Sequence, residues 1–414
     1  MILEQNNIKE NCLNIIKKEW QFAKATSPDF LTVINKEKKI ENEESITIFS
    51  NNFKEQLNHF TRNPFMKKKW RKNTLGMFHD FLNSESILFI RHSMKQESFL
   101  SFQEELKDFL RHVRQFAPEL SMEGIGQAIR NYIVYAMFNE LNELQPHFNM
   151  AAFGYSMLYP FTDNYIDSEH YSLTEKNFYN QLIRNTIEGK KVHPNSTHQK
   201  KTCELLKAIE LHYPRDSHSS IYMLLLMMLD AQEYSILQQS KEHQLSYEER
   251  LYISIYKGGT SVLIDRFFVK RELSQEDLIF YFGFGFFLQL ADDLQDIKED
   301  IEQGNQTIFT LDLHNKKLEH VVNKMFQFIH QITNSYQSKN DIFKDFILNN
   351  CYQLIFSSVL KSNEFFTKEY LHNLEPYFPI TFSFLESMKH VPVMDKDTKK
   401  QIPYMKLLDE LIKD

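Results

Sequence analysis

The sequence predicts an all-α protein. Glycine and proline are scarce, with 10 and 11 among 414 residues, which favours long helices joined by few turns. Between about residues 76 and 165, apolar residues recur at spacings of three and four, the period of a helix with one buried face. No segment shows the strict apolar and polar alternation of a half-buried strand. We therefore expect a bundle of helices.

The composition changes once along the chain. Residues 1–75 are polar and rich in Lys, Asn and Glu, with scattered apolar positions at helical spacing. We expect them to form a peripheral helical extension. Residues 76–414 contain no internal repeat and no low-complexity linker, so we expect a single all-α domain there.

Two helices and one loop follow directly from local patterns. Ser121 should cap a helix that runs through Ile125 and Ile133, because a serine directly precedes the helical apolar period. A second helix should cover about 147–167. The polar stretch 189–202, which contains glycine and proline, is typical of a loop.

Serine and glycine mark two further helix boundaries. Ser217 follows a predicted break at 213–216 and should cap the next helix, and Gly304 should end a later one as its C-cap. The remaining helices are expected over about 218–240, 246–269 and 274–302, with three or four more over 311–414. Breaks in that tail are expected at Pro376, Pro379, Pro392 and Pro403.

Charge and cysteine content narrow the class of protein. The formal charge is −7, from 48 basic and 55 acidic residues, so we expect no nucleic-acid partner. The three cysteines are far apart and form no CxxC pair, which is typical of a reducing compartment. The N-terminus has no apolar signal-peptide core, and no uncharged apolar run reaches the roughly 18–20 residues of a membrane span. We expect a cytoplasmic protein without a transmembrane segment.

The most informative segment is an acidic run at the end of an apolar helix. Asp292, Asp296 and Asp300 are each four residues apart, so they share one helical face, and Asp293 and Glu299 flank them. Like charges at this spacing repel, which predicts a compensating cation. Carboxylate oxygens without nearby His or Cys suit Mg²⁺ or Mn²⁺, and Mg²⁺ is commonly completed by substrate phosphates.

A second acidic pair follows another aromatic and apolar stretch. Asp163 and Asp167 are again four residues apart. Together with the first run they predict two carboxylate rows on two helices, an arrangement suited to a diphosphate bound through several metal ions.

These residues resemble the aspartate motifs of the trans-isoprenyl diphosphate synthase superfamily. Its second motif, G-x-x-x-Q-x-x-D-D-x-x-D, matches Gly285, Gln289, Asp292, Asp293 and Asp296. The same stretch is similar to the L-Q-x-x-N-x-x-R-D-x-x-E-D motif of squalene and phytoene synthases. The four-and-four metal triad of a class I terpene synthase would fall on Asp292, Asp296 and Asp300.

Weaker matches lie at the expected places in the order of the motifs. The first motif, D-D-x-x-D, corresponds to Asp163 and Asp167, with Asn164 in place of the second aspartate. Lys257-Gly258-Gly259-Thr260 resembles the K-T-G segment, and Gly126 to Arg130 resembles G-K-R-x-R. The resemblance spans about residues 120–310.

The resemblance implies a bundle of antiparallel helices around a deep apolar cavity, a prenyl diphosphate substrate, and two or three Mg²⁺ ions, with Mn²⁺ as an alternative. It is also compatible with a homodimer. The implied metal ligands are Asp163, Asp167, Asp292, Asp296 and Asp300. Catalytic roles are expected for Asp163, Asp167, Asp292, Asp293 and Asp296. Substrate contacts are expected from Arg130, Arg215, Lys257, Arg266, Gln289 and Lys298.

Departures from the elongating enzymes favour a different reaction. Gln127 and Ala128 replace the Lys and Arg of G-K-R-x-R, and Ser168 begins a segment that lacks the R-R-G motif. These losses remove cations that would hold isopentenyl diphosphate. We therefore expect ionisation of an allylic prenyl diphosphate for cyclisation or head-to-head coupling. Chain elongation with isopentenyl diphosphate and a non-catalytic helical partner subunit of a synthase are the alternatives.

Overall fold

The computed structural model describes residues 5–60, 63–168, 170–240, 242–388 and 398–413. Every regular element in these ranges is helical, which confirms the predicted all-α class. None of the helices described is both long and apolar enough to cross a membrane. The α-helices are α1 (Gln5–Phe22), α2 (Lys36–Asn58), α3 (Pro64–Ser84), α4 (Gln96–Phe116), α5 (Met122–Leu141), α6 (Met150–Asp167), α7 (Leu173–Ile187), α8 (Thr197–His212), α9 (Ser219–Ser235), α10 (Tyr247–Val269), α11 (Gln275–Gln295), α12 (Ile297–Gln303), α13 (Asn315–Ser335), α14 (Asp341–Lys361), α15 (Lys368–Leu374), α16 (Phe382–Met388) and α17 (Thr398–Leu411).

The antiparallel helices α10 and α11 form the centre of the bundle. Ser254 contacts Asp293 at one end of the pair, and Arg266 contacts Asp277 at the other. Between these ends the two backbones touch, because a Cβ added at either Gly258 or Gly285 would overlap the backbone of the other helix. Glycine is therefore required at this crossing, where it brings two helix axes closer than ordinary side chains allow.

Helices α5 and α6 pack as a second antiparallel pair against α10. Gln127 of α5 bonds Asn164 near the end of α6, and Asn131 bonds Ser156 near its middle. The Tyr155 hydroxyl of α6 donates to the Ser261 carbonyl oxygen of α10 at 3.1 Å. The C-terminal half of α6 and the N-terminal half of α5 thus lie at the same end of the bundle.

Several predicted helix boundaries are confirmed. The Ser121 side chain caps α5, α6 covers most of the predicted second helix, and Gly304 ends α12 with a left-handed φ of 76°. The predicted helix over 274–302 is interrupted, because α11 ends at Gln295 and Asp296 has φ −106° and ψ 14° before α12 begins.

Other boundaries differ from the predictions. The loop predicted over 189–202 is shorter, since Ser196 caps α8 and helix begins at Thr197. Ser217 does not cap α9: His218 occupies the N-cap position, and the Ser217 hydroxyl donates to the Pro214 carbonyl oxygen instead. A serine next to a proline turn can bond that turn, so its presence alone does not identify a cap.

The polar N-terminal segment is not uniformly peripheral. In α1 the Trp20 side chain is fully buried, packs against Phe286 of α11 and donates to the Tyr247 hydroxyl at 2.8 Å. The expectation that residues 1–75 only cover the core is therefore wrong for α1. Only one face of α1 is apolar, and averaging over the polar segment conceals that face.

The C-terminal tail contains five α-helices in its described part, because the short α15 and α16 add to the longer three. Chain breaks occur at Pro376 and Pro379 as predicted, whereas α17 continues through position 403. Pro392 lies outside the described residues.

Substitution of Gly258 tests the α10–α11 crossing. We expect Gly258→Ala to lower the free energy of unfolding by about 2 kcal/mol or more, because the methyl group overlaps backbone that cannot move aside. Gly76→Ala in α3 is the matched control: a Cβ there meets no atom within 4 Å, so a gain of roughly 0.5–1 kcal/mol is expected. Chemical denaturation measures both, and equal effects would contradict the proposed contact.

Candidate functional site

The acidic row runs across the junction between α11 and α12. The Asp296 amide donates to the Asp292 carbonyl oxygen at 3.1 Å, and the Asp300 amide donates to the Asp296 carbonyl oxygen at 2.8 Å. The helical pattern of backbone hydrogen bonds therefore continues across the junction. The three aspartates remain on one face of the helix.

Asp293 lies beside this row and faces α10. Its carboxylate accepts hydrogen bonds from the Gln289 amide at 2.8 Å and from the Ser254 hydroxyl at 3.2 Å. The side chain is buried, and that burial is the main reason that its pKa is raised to about 7. Gln289, which we expected to contact substrate, holds Asp293 instead.

Asp292 is exposed to solvent, yet neighbouring protein atoms affect its carboxylate. Its side chain is exposed, yet burial is the largest cause that raises its pKa, followed by the charge of Asp296. Asp300 is similar: burial is the main cause that raises its pKa to about 6, although the Asn305 amide hydrogen bond acts in the opposite direction.

Three cations from three helices act on Asp292. Lys257 of α10, Arg130 of α5 and Lys361 of α14 each lower its pKa against the effect of burial. Lys361 also forms an ion pair with Asp296, with 2.6 Å between its Nζ and the Asp296 Oδ1 atom. The row is therefore surrounded by positive charge, as a site for a polyanion would be.

Sequence reasoning missed Lys361. It lies 65 residues beyond Asp296, at the end of α14 and after the intervening α12 and α13, and no spacing rule connects the two residues. The contact depends on how α14 packs against α11, which local sequence patterns do not reveal.

The second acidic pair is less complete. Asp163 accepts hydrogen bonds from the Gln232 amide at 2.6 Å and from the Thr162 hydroxyl at 3.2 Å. Asn164 pairs with Gln127 through two amide hydrogen bonds. Asp167 is the last residue of α6, and its side chain lies outside the described part of the structure.

Helix α5 connects the two acidic groups. Gln127 bonds Asn164 of α6, and Arg130, three residues later, acts on Asp292 of α11. Residues three apart on a helix are neighbours on its surface. The Asp163 end of α6 and the row on α11 and α12 thus approach the same part of α5.

A small cavity lies next to Asp163. It has a volume of about 40 Å³ and is lined by apolar side chains of α6 to α9, with Tyr155, Tyr159, Thr162 and Gln232. This volume is far below the roughly 300 Å³ at which ordinary ligand pockets begin. A larger cleft of about 440 Å³ lies between α14, the 30–42 segment and the 86–93 segment, and it shares no lining residue with either acidic group.

A buried carboxyl group lies between α5, α6 and α10. Asp265 is fully buried, accepts one hydrogen bond from the Asn131 amide at 3.3 Å, and has no hydrogen-bond partner for its Oδ2 atom in the described structure. Burial raises its pKa well above the ordinary range. The sequence carries a signal for this burial, because Asp265 directly follows the apolar residues 262–264 and Phe267 and Phe268 come soon after it.

Three of the expected substrate contacts are not at the site. Arg215 pairs with Glu210 and stacks on Tyr222 at 4.1 Å, and Arg266 is buried in an ion pair with Asp277 at 2.9 Å. Both arginines therefore have structural partners elsewhere. Lys298 is exposed on α12, two residues from both Asp296 and Asp300, which on a helix directs it away from their face.

The chemistry of the row fits Mg²⁺, although the row is not a closed metal cage. In the described residues, no three carboxylate, His or Cys side chains are close enough together to hold a metal ion between them. The donors are oxygen atoms only, and burial raises the pKa of Asp300 to about 6, so its charged form lacks full compensation. A divalent cation would supply that compensation.

Comparison with known proteins identifies no relative. No family model, curated protein or solved structure matches the chain. The geometry of the site is therefore the basis for any functional conclusion.

The pH dependence of stability tests the burial of Asp293. Its pKa of about 7 in the folded state exceeds the ordinary value of 3.8, so the unfolded chain loses the proton first as pH rises. Unfolding free energy of the metal-free protein should therefore fall between about pH 4 and pH 7. In Asp293→Asn this fall should be smaller, and the variant should be more stable than wild type at pH 8 by more than about 1 kcal/mol.

The asparagine is a suitable replacement because it can still accept from Gln289 and donate to the Ser254 hydroxyl. Urea denaturation between pH 4 and pH 8 measures the effect. If wild type and variant lose stability in parallel over this range, Asp293 does not titrate as proposed.

Proposed function

We propose that this chain is a Mg²⁺-dependent enzyme of isoprenoid biosynthesis that ionises an allylic prenyl diphosphate, for cyclisation or head-to-head coupling. The proposal includes a class I isoprenoid-synthase type of helical bundle. The observation that carries it is the row of carboxylates on α11 and α12 surrounded by Arg130, Lys257 and Lys361. Carboxylates alone would bind a cation, whereas carboxylates with converging cations suit a metal and an anion together.

Asp292, Asp296 and Asp300 would hold Mg²⁺ from one side, and Asp163 with Asp167 from the other. When bound, the metal would stabilise the charge that develops on the leaving diphosphate. Lys257 and Arg130 would bind diphosphate oxygens directly, since both already act on Asp292 from neighbouring helices. Asp293 would not be a ligand, because Gln289 and Ser254 hold its two oxygens; it would keep α11 in register with α10.

The aromatic wall between α6 and α10 would protect an allylic cation from water. Tyr155 and Tyr159 line the cavity next to Asp163, and their hydroxyl groups are directed to each other and to Ser261 rather than to bulk water. Aromatic faces also attract cations. The cavity must enlarge to admit a prenyl chain, so substrate binding would separate α6 from α9.

A non-catalytic partner subunit is the second candidate, and two observations favour it. The cavity is small, and Asn164 is paired with Gln127 instead of being free to bind metal. Chain elongation has less support, because the Gln127 side chain occupies a position where elongating enzymes would need a cation.

Diphosphate release distinguishes these candidates. Purified protein with Mg²⁺ should release diphosphate from at least one of the C10, C15 and C20 allylic diphosphates without isopentenyl diphosphate. The Asp292→Ala/Asp296→Ala variant should lose activity by at least about a hundredfold, because two proposed metal ligands are removed.

The matched control is Glu302→Ala/Glu369→Ala, which removes two carboxylates that lie beyond the row and are exposed. It should retain wild-type activity. Activity only with isopentenyl diphosphate would indicate elongation. If no substrate releases diphosphate, or if the aspartate variant does not reduce the release, the chain is better explained as a non-catalytic partner subunit.

A further inference from the structure

A buried hydrogen bond joins the end of α14 to the end of α11. Ser362, directly after α14, is buried and donates its hydroxyl hydrogen to the Leu294 carbonyl oxygen at 2.7 Å. That carbonyl belongs to the last turn of α11, two residues before Asp296. The backbone of Lys361, the preceding residue, is therefore held beside the acidic row.

The Lys361 side chain bonds Asp296 through its terminal ammonium group. Its ammonium group forms the 2.6 Å ion pair with Asp296, and half of the side chain is exposed to solvent, at 50%. A lysine is a compact charge on a flexible chain of four carbons, so it can change partners without moving its helix. An ion pair with this exposure is weak, so Lys361 can leave Asp296 at a small cost in free energy.

Asp296 is also the middle carboxylate of the row proposed to bind Mg²⁺. A divalent cation and an ammonium group on the same carboxylate repel each other, so the two cations compete for it. A diphosphate bound to the metal would bring new anionic oxygens within reach of the displaced ammonium group.

We propose that Lys361 is a partner-exchanging lysine that couples metal binding to diphosphate binding. In the metal-free protein it neutralises Asp296, and when the row binds a divalent cation it transfers to a diphosphate oxygen. This inference rests on the proposed function of the acidic row. It assigns a substrate-binding role to a residue that the motif pattern does not contain.

The exchange predicts opposite effects on two ligands when Lys361 is replaced. Lys361→Gln should bind Mn²⁺ alone about two to five times more tightly than wild type, because a competing cation of an exposed pair is removed. The same variant should bind inorganic pyrophosphate, in the presence of excess Mg²⁺, roughly ten times more weakly, because a charge-assisted hydrogen bond is lost. The EPR signal of free Mn²⁺ and titration calorimetry measure these affinities.

Two further variants separate this role from general effects. Lys361→Arg keeps the charge and should keep pyrophosphate affinity within about threefold of wild type. Lys339→Gln removes an exposed lysine just before the other end of α14 and should change neither affinity. If Lys361 had only a structural role, Lys361→Gln would weaken the binding of both Mn²⁺ and pyrophosphate.

The outcomes distinguish this inference from the proposed function. If wild type binds no Mn²⁺, the proposed metal site is wrong and the exchange fails with it. If wild type binds Mn²⁺ but Lys361→Gln changes neither affinity, or shifts both in the same direction, the exchange alone is wrong.

Discussion

The close contact of α10 with α11 places Lys257 and Ser254 beside the acidic row. It exists because Gly258 and Gly285 lack side chains, so that the two backbones touch. Two helical turns separate Gly285 from Asp292, which therefore lies on the same side of α11. On α10, Lys257 precedes the contact and Ser254 lies one turn away, where it bonds Asp293. Any residue larger than glycine at the crossing would separate the carboxylates from these partners.

The second constraint is that the negative charges of the acidic row need nearby positive charges, and the protein supplies these only in part. Burial raises the pKa of Asp292, Asp293 and Asp300, while Lys257, Arg130 and Lys361 oppose this effect at Asp292. The protein thus keeps a row of carboxylates together at a cost in stability. Carboxylates with raised pKa values cluster at functional sites, which makes this row a candidate ligand site. The buried carboxyl of Asp265, whose Oδ2 atom has no hydrogen-bond partner among the described residues, adds to this cost between the helices that carry the site.

Local sequence patterns predicted the helices well and their packing poorly. The Ser121 cap, the Gly304 cap and the row on 292–300 follow from rules that act within one or two turns, and the structure contains all three. The burial of Trp20, the ion pair of Lys361 with Asp296 and the pairing of Arg266 with Asp277 connect separate helices. The last example also shows why Arg266 was wrongly expected at the site: a cation in an apolar helix indicates a buried partner as readily as a ligand. The size of the cavity depends on side-chain packing across four helices, which no motif encodes.

The central claim is that the acidic row and its surrounding cations form one metal and diphosphate site. A crystal structure of the protein with Mg²⁺ and inorganic pyrophosphate tests it most directly. The account predicts Mg²⁺ on Asp292 and Asp296, with pyrophosphate between the metal ions and the side chains of Lys257 and Arg130. Pyrophosphate bound elsewhere, or a row that remains without metal while Lys361 stays paired with Asp296 at saturating Mg²⁺, would contradict it.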